Sequence, residues 1–113
     1  VCAKRGMPIS FTGHPSMFGM IFSESVPTEY RGWADTDHEL YDAVAVGMHP
    51  RGAMPEPDSR EPWFMCEAHA QGDIVDRVVS IFEESLDAAL EARAHGETRR
   101  IETAAMGAAG SPN

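Results

Sequence analysis

Apolar positions follow two regimes along this chain. Between residues 7 and 22 they come in short, dense runs interrupted by Gly13, His14 and Pro15. After Asp73 they recur every three or four residues. The first regime predicts a β-hairpin, with strands over 7–12 and 16–22 and a turn at Gly13-His14-Pro15. The second run is almost wholly apolar, which predicts a central strand covered on both faces. Gly19 inside it predicts a bulge or a close backbone approach. The second regime predicts the longest helix, over 73–94. Ile74, Val78, Ile81, Phe82, Leu86, Ala89 and Leu90 share one face of it, and Asp73 serves as a cap or as first-turn charge.

The segments between carry weaker signals. Residues 23–34 contain Pro27, Gly32 and several polar groups, and read as a loop anchored by Tyr30 and Trp33. A helix is predicted over 37–48, capped by Asp35 or Thr36, with Glu39 in its first turn. Leu40, Tyr41, Val44 and Met48 form its apolar face, and Pro50 and Gly52 end it. Pro55, Pro57 and Pro62 make 53–63 a stiff extended loop, and 63–66 a short buried strand. The opening Val1-Cys2-Ala3-Lys4-Arg5-Gly6 reads as the frayed end of a helix stopped by Gly6. A chain that starts without methionine in mid-element is expected to be a fragment or a processed product. No internal repeat is visible.

The order hairpin, helix, loop, strand, helix defines an α+β fold: a small, mostly antiparallel sheet of three to four strands with helices packed on one face. Residues 1–95 form one domain. Residues 96–113, rich in Ala and Gly, lack an apolar stripe and are expected to be a flexible tail.

With 113 residues there is room for one small domain with a thin stability margin. The formal net charge of −9 argues against nucleic acid and anionic membranes as partners, since both require clustered Lys and Arg. No apolar run approaches the roughly 18 residues of a membrane span, and no signal peptide is visible. Cys2 and Cys66 match no zinc or redox spacing, so reduced thiols in the cytoplasm are expected.

One series of motifs points to a family. Thr12-Gly13-His14-Pro15-Ser16-Met17-Phe18 is followed by Tyr30, Asp37, Met48, Arg51-Gly52, Pro57-Asp58-Ser59-Arg60-Glu61, Ala68-His69 and Asp73-Ile74. In order and spacing this resembles the C-terminal region of class III PLP-dependent aminotransferases of the glutamate-1-semialdehyde aminomutase type, over about residues 4–93. The resemblance implies the small domain of a fold type I PLP enzyme, which closes over an active site whose cofactor and lysine belong to a large domain. It implies that Glu61, the glutamate of the Pro-Ser-x-x-Glu loop, approaches substrate and cofactor. The implied partners are that large PLP-binding domain, a second copy in a homodimer, and a small amino-acid or keto substrate. Two departures bear on donor and acceptor choice. Gly13-His14-Pro15 stands where the family has Gly-Gly or Gly-x-Gly, and Arg60 replaces an apolar or aromatic residue.

The chain's own chemistry is sparse. Transamination needs a Schiff-base lysine. The one lysine, Lys4, lies in the N-terminal segment, and no Gly-rich phosphate loop is present. No catalytic residue and no bound cofactor are therefore expected in this chain by itself, and PLP belongs to the parent enzyme. Arg60 suits bidentate binding of a substrate carboxylate; a local salt bridge with Asp58 or Glu61 is the competing reading. Glu61 is a substrate contact by resemblance and a solvated loop carboxylate otherwise. Arg51 reads as a partner of the helix dipole. His14 and His69 read as structural or exposed, not catalytic. Cys66-x-x-His69 is half a metal site at most, and Ser16 lacks a nucleophile elbow. Met17, Met20, Met48 and Met65 read as core. A different class of function, a stand-alone α+β binding module derived from such a domain, would have polar residues where a large domain docks, or would bury that patch in a dimer.

Overall fold

The computed structural model describes residues 1–109, with side chains described through residue 96. Its core is a three-stranded antiparallel sheet in the order β1-β2-β3, with β1 at Ser10–His14, β2 at Met17–Ile21 and β3 at Trp63–Phe64. The hairpin is present, but its turn is Pro15-Ser16, because His14 pairs with Met17 across it. The His14 ring helps close this turn: its Nδ1 lies 2.9 Å from Ser16 Oγ and accepts the Ser16 amide at 3.2 Å. The first strand begins at Ser10 instead of residue 7. Pro8 has no amide to donate, and the Met7 amide is already bonded to the Cys2 carbonyl at 3.1 Å.

Side chains alternate across β2. Phe18 and Met20 face the core; Met17, Gly19 and Ile21 face the opposite side. Met20 and Ile21 are buried but Met17 is 49% exposed, so the strand is covered on both faces only in its second half. Gly19 forms no bulge. The register runs unbroken through it, and the close approach is to a side chain: a Cβ there would sit 2.8 Å from Thr12 Cγ2, its cross-strand neighbour. Gly13 is constrained by backbone, with φ +84° and only 2.6 Å from the site of its missing Cβ to the Met17 carbonyl oxygen.

Three helices accompany the sheet: α1 (Tyr30–Ala34), α2 (His38–Met48) and α3 (Ile74–Ala109). The segment expected to be a loop contains α1. One helical turn has no periodicity to betray it, and tertiary contacts hold it. The cap of α2 is Asp37, whose carboxylate accepts the Leu40 amide at 3.2 Å; Asp35 and Thr36 do not serve. Past Met48 the chain tightens into a 3-10 turn at His49–Arg51 and stops at Gly52, φ +100°. The Arg51 guanidinium donates to the Gly47 carbonyl at the end of α2, as the dipole argument anticipated. The strand predicted over 63–66 shrinks to two residues, and Phe64 is 68% exposed. Cys66 has left the sheet: its amide donates to His69 Nδ1 at 2.9 Å and opens a 3-10 turn at Glu67–Ala70.

Helix α3 continues past its expected end at residue 94 to Ala109. Ala, Glu and Arg in that stretch are good helix formers, so the helix persists without an apolar stripe. Residues 110–113 of the expected tail lie outside the described residues. No helix among the described residues is long and apolar enough to cross a membrane.

The two longer helices pack together and cover one face of the sheet. Met20, Phe22, Leu40, Tyr41, Val44, Met48 and Leu86 are buried between them, and the rings of Phe22 and Phe82 stack at 6.5 Å. Of the four methionines expected in the core, Met20 and Met48 are buried, Met65 is half-buried and Met17 is not. The N-terminal segment is not frayed. Cys2 is buried in the core, Ala3–Arg5 form a 3-10 turn ended by Gly6 at φ +63°, and Arg5 pairs with Glu83 at 2.8 Å and with Asp87 on α3.

A second ion pair joins α3 to the start of α2. Arg93 donates to both carboxylate oxygens of Asp37, at 2.9 and 2.8 Å. Partial burial pushes the Asp37 carboxyl up, but Arg93 and the Leu40 amide outweigh it and hold the group below its ordinary value. A depressed folded-state value means stability that is present above the ordinary carboxylate range, about pH 4, and is lost as pH falls through the folded value. Asp37→Asn keeps a capping oxygen and removes the charge. Denaturant titrations should therefore show a wild-type advantage that is constant near neutrality and shrinks below about pH 4. An advantage independent of pH would contradict this.

Candidate functional site: a hollow beneath the proline-rich loop

The sheet face away from the helices sets small residues beside Met17 and Ile21. Thr12, Gly13 and Gly19 leave it concave, and α1 and residues 59–62 overhang it. The result is an open hollow of about 500 Å3, walled by Ile21, Tyr30, Trp33, Arg60 and Pro62. Its volume suits a small organic ligand.

What holds the overhang follows from its composition. The prolines leave the loop short of backbone donors, so side chains pin it. The Tyr41 hydroxyl donates to the Glu56 carbonyl at 2.6 Å and accepts from Trp63 Nε1 at 2.6 Å. Burial pushes the Tyr41 phenol above its ordinary value, against the pull of the Trp63 bond. Trp33 Nε1 donates to the buried Ser59 hydroxyl at 2.8 Å, and the Trp33 ring stacks on His38 at 4.7 Å. The Trp33 and Trp63 indoles are thus both partly buried and bonded.

Residues 58–61 form a tight turn. The Glu61 amide donates to the Asp58 carbonyl at 3.0 Å, and the Arg60 amide to the Asp58 carboxylate at 2.8 Å. The Arg60 guanidinium binds the same carboxylate through Nε and Nη2 at 2.6–3.1 Å. It also lies 4.5 Å from the centre of the Trp33 ring and 5.8 Å from that of Tyr30. Arg60 holds the Asp58 carboxyl below the usual carboxylate range.

Of the two residues singled out as substrate contacts, Arg60 lines the hollow and Glu61 does not; Glu61 is exposed on the turn beside it. The local ion pair weighed for Arg60 is made with Asp58, and Arg60 also lines the hollow. The other candidates do not converge. Lys4 is exposed and lies away from the hollow. His14 is exposed and bonds Ser16, with no carboxylate to orient its ring. His69 is a backbone acceptor. Both cysteines are free, Cys2 buried with its thiol pushed up by burial, and no cluster of three metal-ligating side chains occurs among the described residues. Sequence reasoning weighed Asp58 as an ion partner of Arg60, which the structure bears out, but missed Ser59 as the Trp33 acceptor and the Asp58 bond to the Arg60 amide. The signal for that bond was an Asp after Pro57, a residue type whose carboxylate readily accepts the amide two residues on.

A second concavity, of about 580 Å3, opens on the core side between the sheet and the first turns of α3. It is almost entirely apolar, and Phe11, Val75 and Val79 on its rim are 59%, 48% and 46% exposed.

The chain's sequence is similar to that of aminomutases. Two curated relatives are glutamate-1-semialdehyde 2,1-aminomutases. That of Chlamydia pneumoniae is 28% identical over 89 residues, covering 73% of this chain and 20% of the relative. That of Laribacter hongkongensis (strain HLHK9) is 34% identical over 76 residues, covering 66% and 18%. The chain thus spans about a fifth of the length of the curated relatives it matches. No family model matches it.

Proposed function

We propose that this chain is the C-terminal small domain of a cytoplasmic, dimeric, class III PLP-dependent aminotransferase or aminomutase. The observation that carries this reading is the similarity to glutamate-1-semialdehyde 2,1-aminomutases, confined to about a fifth of their length. The apolar groove beside α3 supports it, since exposed Phe and Val rims suit a surface built to be covered. The residues of this chain do not by themselves fit PLP: the lysine is exposed on an N-terminal turn, remote from the hollow. PLP, held by the large domain, would supply the electron sink for amino-group transfer. The small domain would shape the substrate side of the pocket, with Glu61 and Arg60 on the loop that closes over a small amino-acid or keto substrate.

Two measurements test this. Blotting source cells with an antibody to α3 should reveal a band several times larger than 12.3 kDa. A band at 12.3 kDa alone would favour the stand-alone binding module. Titrating the purified 113-residue chain with PLP should give no saturable absorbance change, while the long form should give one. Saturable binding to the short chain that is lost in Lys4→Ala would overturn the proposal.

A further inference from the structure

Arg60 replaces an apolar or aromatic residue of the related loop, and a ligand role is the first thought for an arginine on the wall of a hollow. Its surroundings argue for a different task. Its Nε and Nη2 are committed to Asp58, and its planar face is laid over Trp33. Asp58 and Glu61 also make the vicinity acidic, a poor setting for a second carboxylate. An exposed ion pair alone would contribute little. Here it is joined to a cation–π stack and to two backbone bonds within the same four residues. Trp33 meanwhile is bonded to Ser59 in that turn. Arg60 therefore ties the turn to α1 from one side while Ser59 ties it from the other.

We propose that Arg60 is a positioning residue: by bridging Asp58 and the Trp33–Tyr30 pair it locks the 58–61 turn against α1 and so fixes where Glu61 projects. This deepens the reading of Glu61 as the loop's substrate-facing carboxylate, and rests on it for its functional meaning. The lock itself is a property of the chain alone. A lysine can replace it only in part, because an ammonium lacks the planar fork that pairs with a carboxylate and stacks on an indole together.

The test is amide and indole hydrogen exchange by NMR on the 113-residue chain, comparing wild type with Arg60→Met, Arg60→Lys and Asp58→Asn. Arg60→Met should speed exchange of the Glu61 amide and the Trp33 indole by about tenfold. Arg60→Lys should recover only part of this, and Asp58→Asn should resemble Arg60→Met. The Trp63 indole, bonded to Tyr41, serves as the internal control and should be unchanged. A uniform rise at all these sites would mean general destabilisation and would overturn the proposal. So would unchanged exchange in Arg60→Met. Titration with glutarate separates the ligand role: saturable shifts at Arg60 would overturn positioning in favour of carboxylate binding, and their absence upholds it. None of these readings depends on PLP, so a failure of the aminotransferase reading would leave the lock to be judged on its own.

Discussion

Leu86→Ala is expected to lower the unfolding free energy by about 2–5 kcal/mol, the range for a fully buried leucine that leaves a cavity. Leu86 has no exposed surface and stands at the crossing of α2 and α3, beside Met48 and Val44 in the same buried cluster. Collapse around the missing atoms is limited by neighbours already held in place at the crossing. The position of a Cβ on Gly47 is 3.6 Å from Ser85, the residue before Leu86. The Ser85 hydroxyl is tied to the Ile81 carbonyl at 2.7 Å, so it cannot swing into the gap. Small domains carry about 5–15 kcal/mol in total. The variant should therefore show a much lower urea midpoint with an unchanged slope. A loss below about 1 kcal/mol would mean that the helix crossing is not the centre of the core.

Tyr41→Phe is expected to cost about 0.5–1.5 kcal/mol for each of the two part-buried hydrogen bonds it removes, without altering the volume of the core. The hydroxyl is a relay: it gives its proton to the Glu56 carbonyl and takes the Trp63 indole N–H. Its removal leaves a carbonyl and an indole without their partner, which is dearer than removing both ends of one bond. The expected signature is twofold: a lower denaturation midpoint, and a shifted Trp63 indole resonance with faster exchange, while the Trp33 indole keeps its partner Ser59. Loss of stability without a Trp63 response would show that the relay is not what holds β3 and the loop together.

Much of the fold was legible because its strongest elements rest on periodicity. The hairpin, α2 and the apolar face of α3 follow from the spacing of residues such as Phe18, Met20, Val44 and Leu86. What the pattern could not show was held by distant partners. Helix α1 exists through Trp33 and its contacts with Ser59 and His38, residues 26 and 5 positions away. The burial of Cys2 depends on a turn whose Arg5 reaches Glu83 and Asp87. Strand β3 stops early because the His69 ring captures the Cys66 amide, a competition between side chain and ladder that no propensity encodes. At the site, composition did mark the proline-rich loop, and Trp33 as an anchor of the segment before α2. The choice of Asp58 over Glu61 as partner of Arg60 is a matter of turn geometry, and only the folded chain decides it.

The sheet has two faces with separate duties, and this bears on how such a chain can change over generations. Residues that keep it folded, Phe18 and Met20, point one way; Thr12 and Gly19, which set the depth of the hollow, point the other. A methyl trimmed from Thr12 deepens the hollow's floor without touching the packed layer behind it, whereas one gained at Gly19 would stand 2.8 Å from Thr12 Cγ2 and needs Thr12 trimmed with it. Selection can thus try new shapes at the floor while the helices go on holding the strands in place, provided the two facing positions change together.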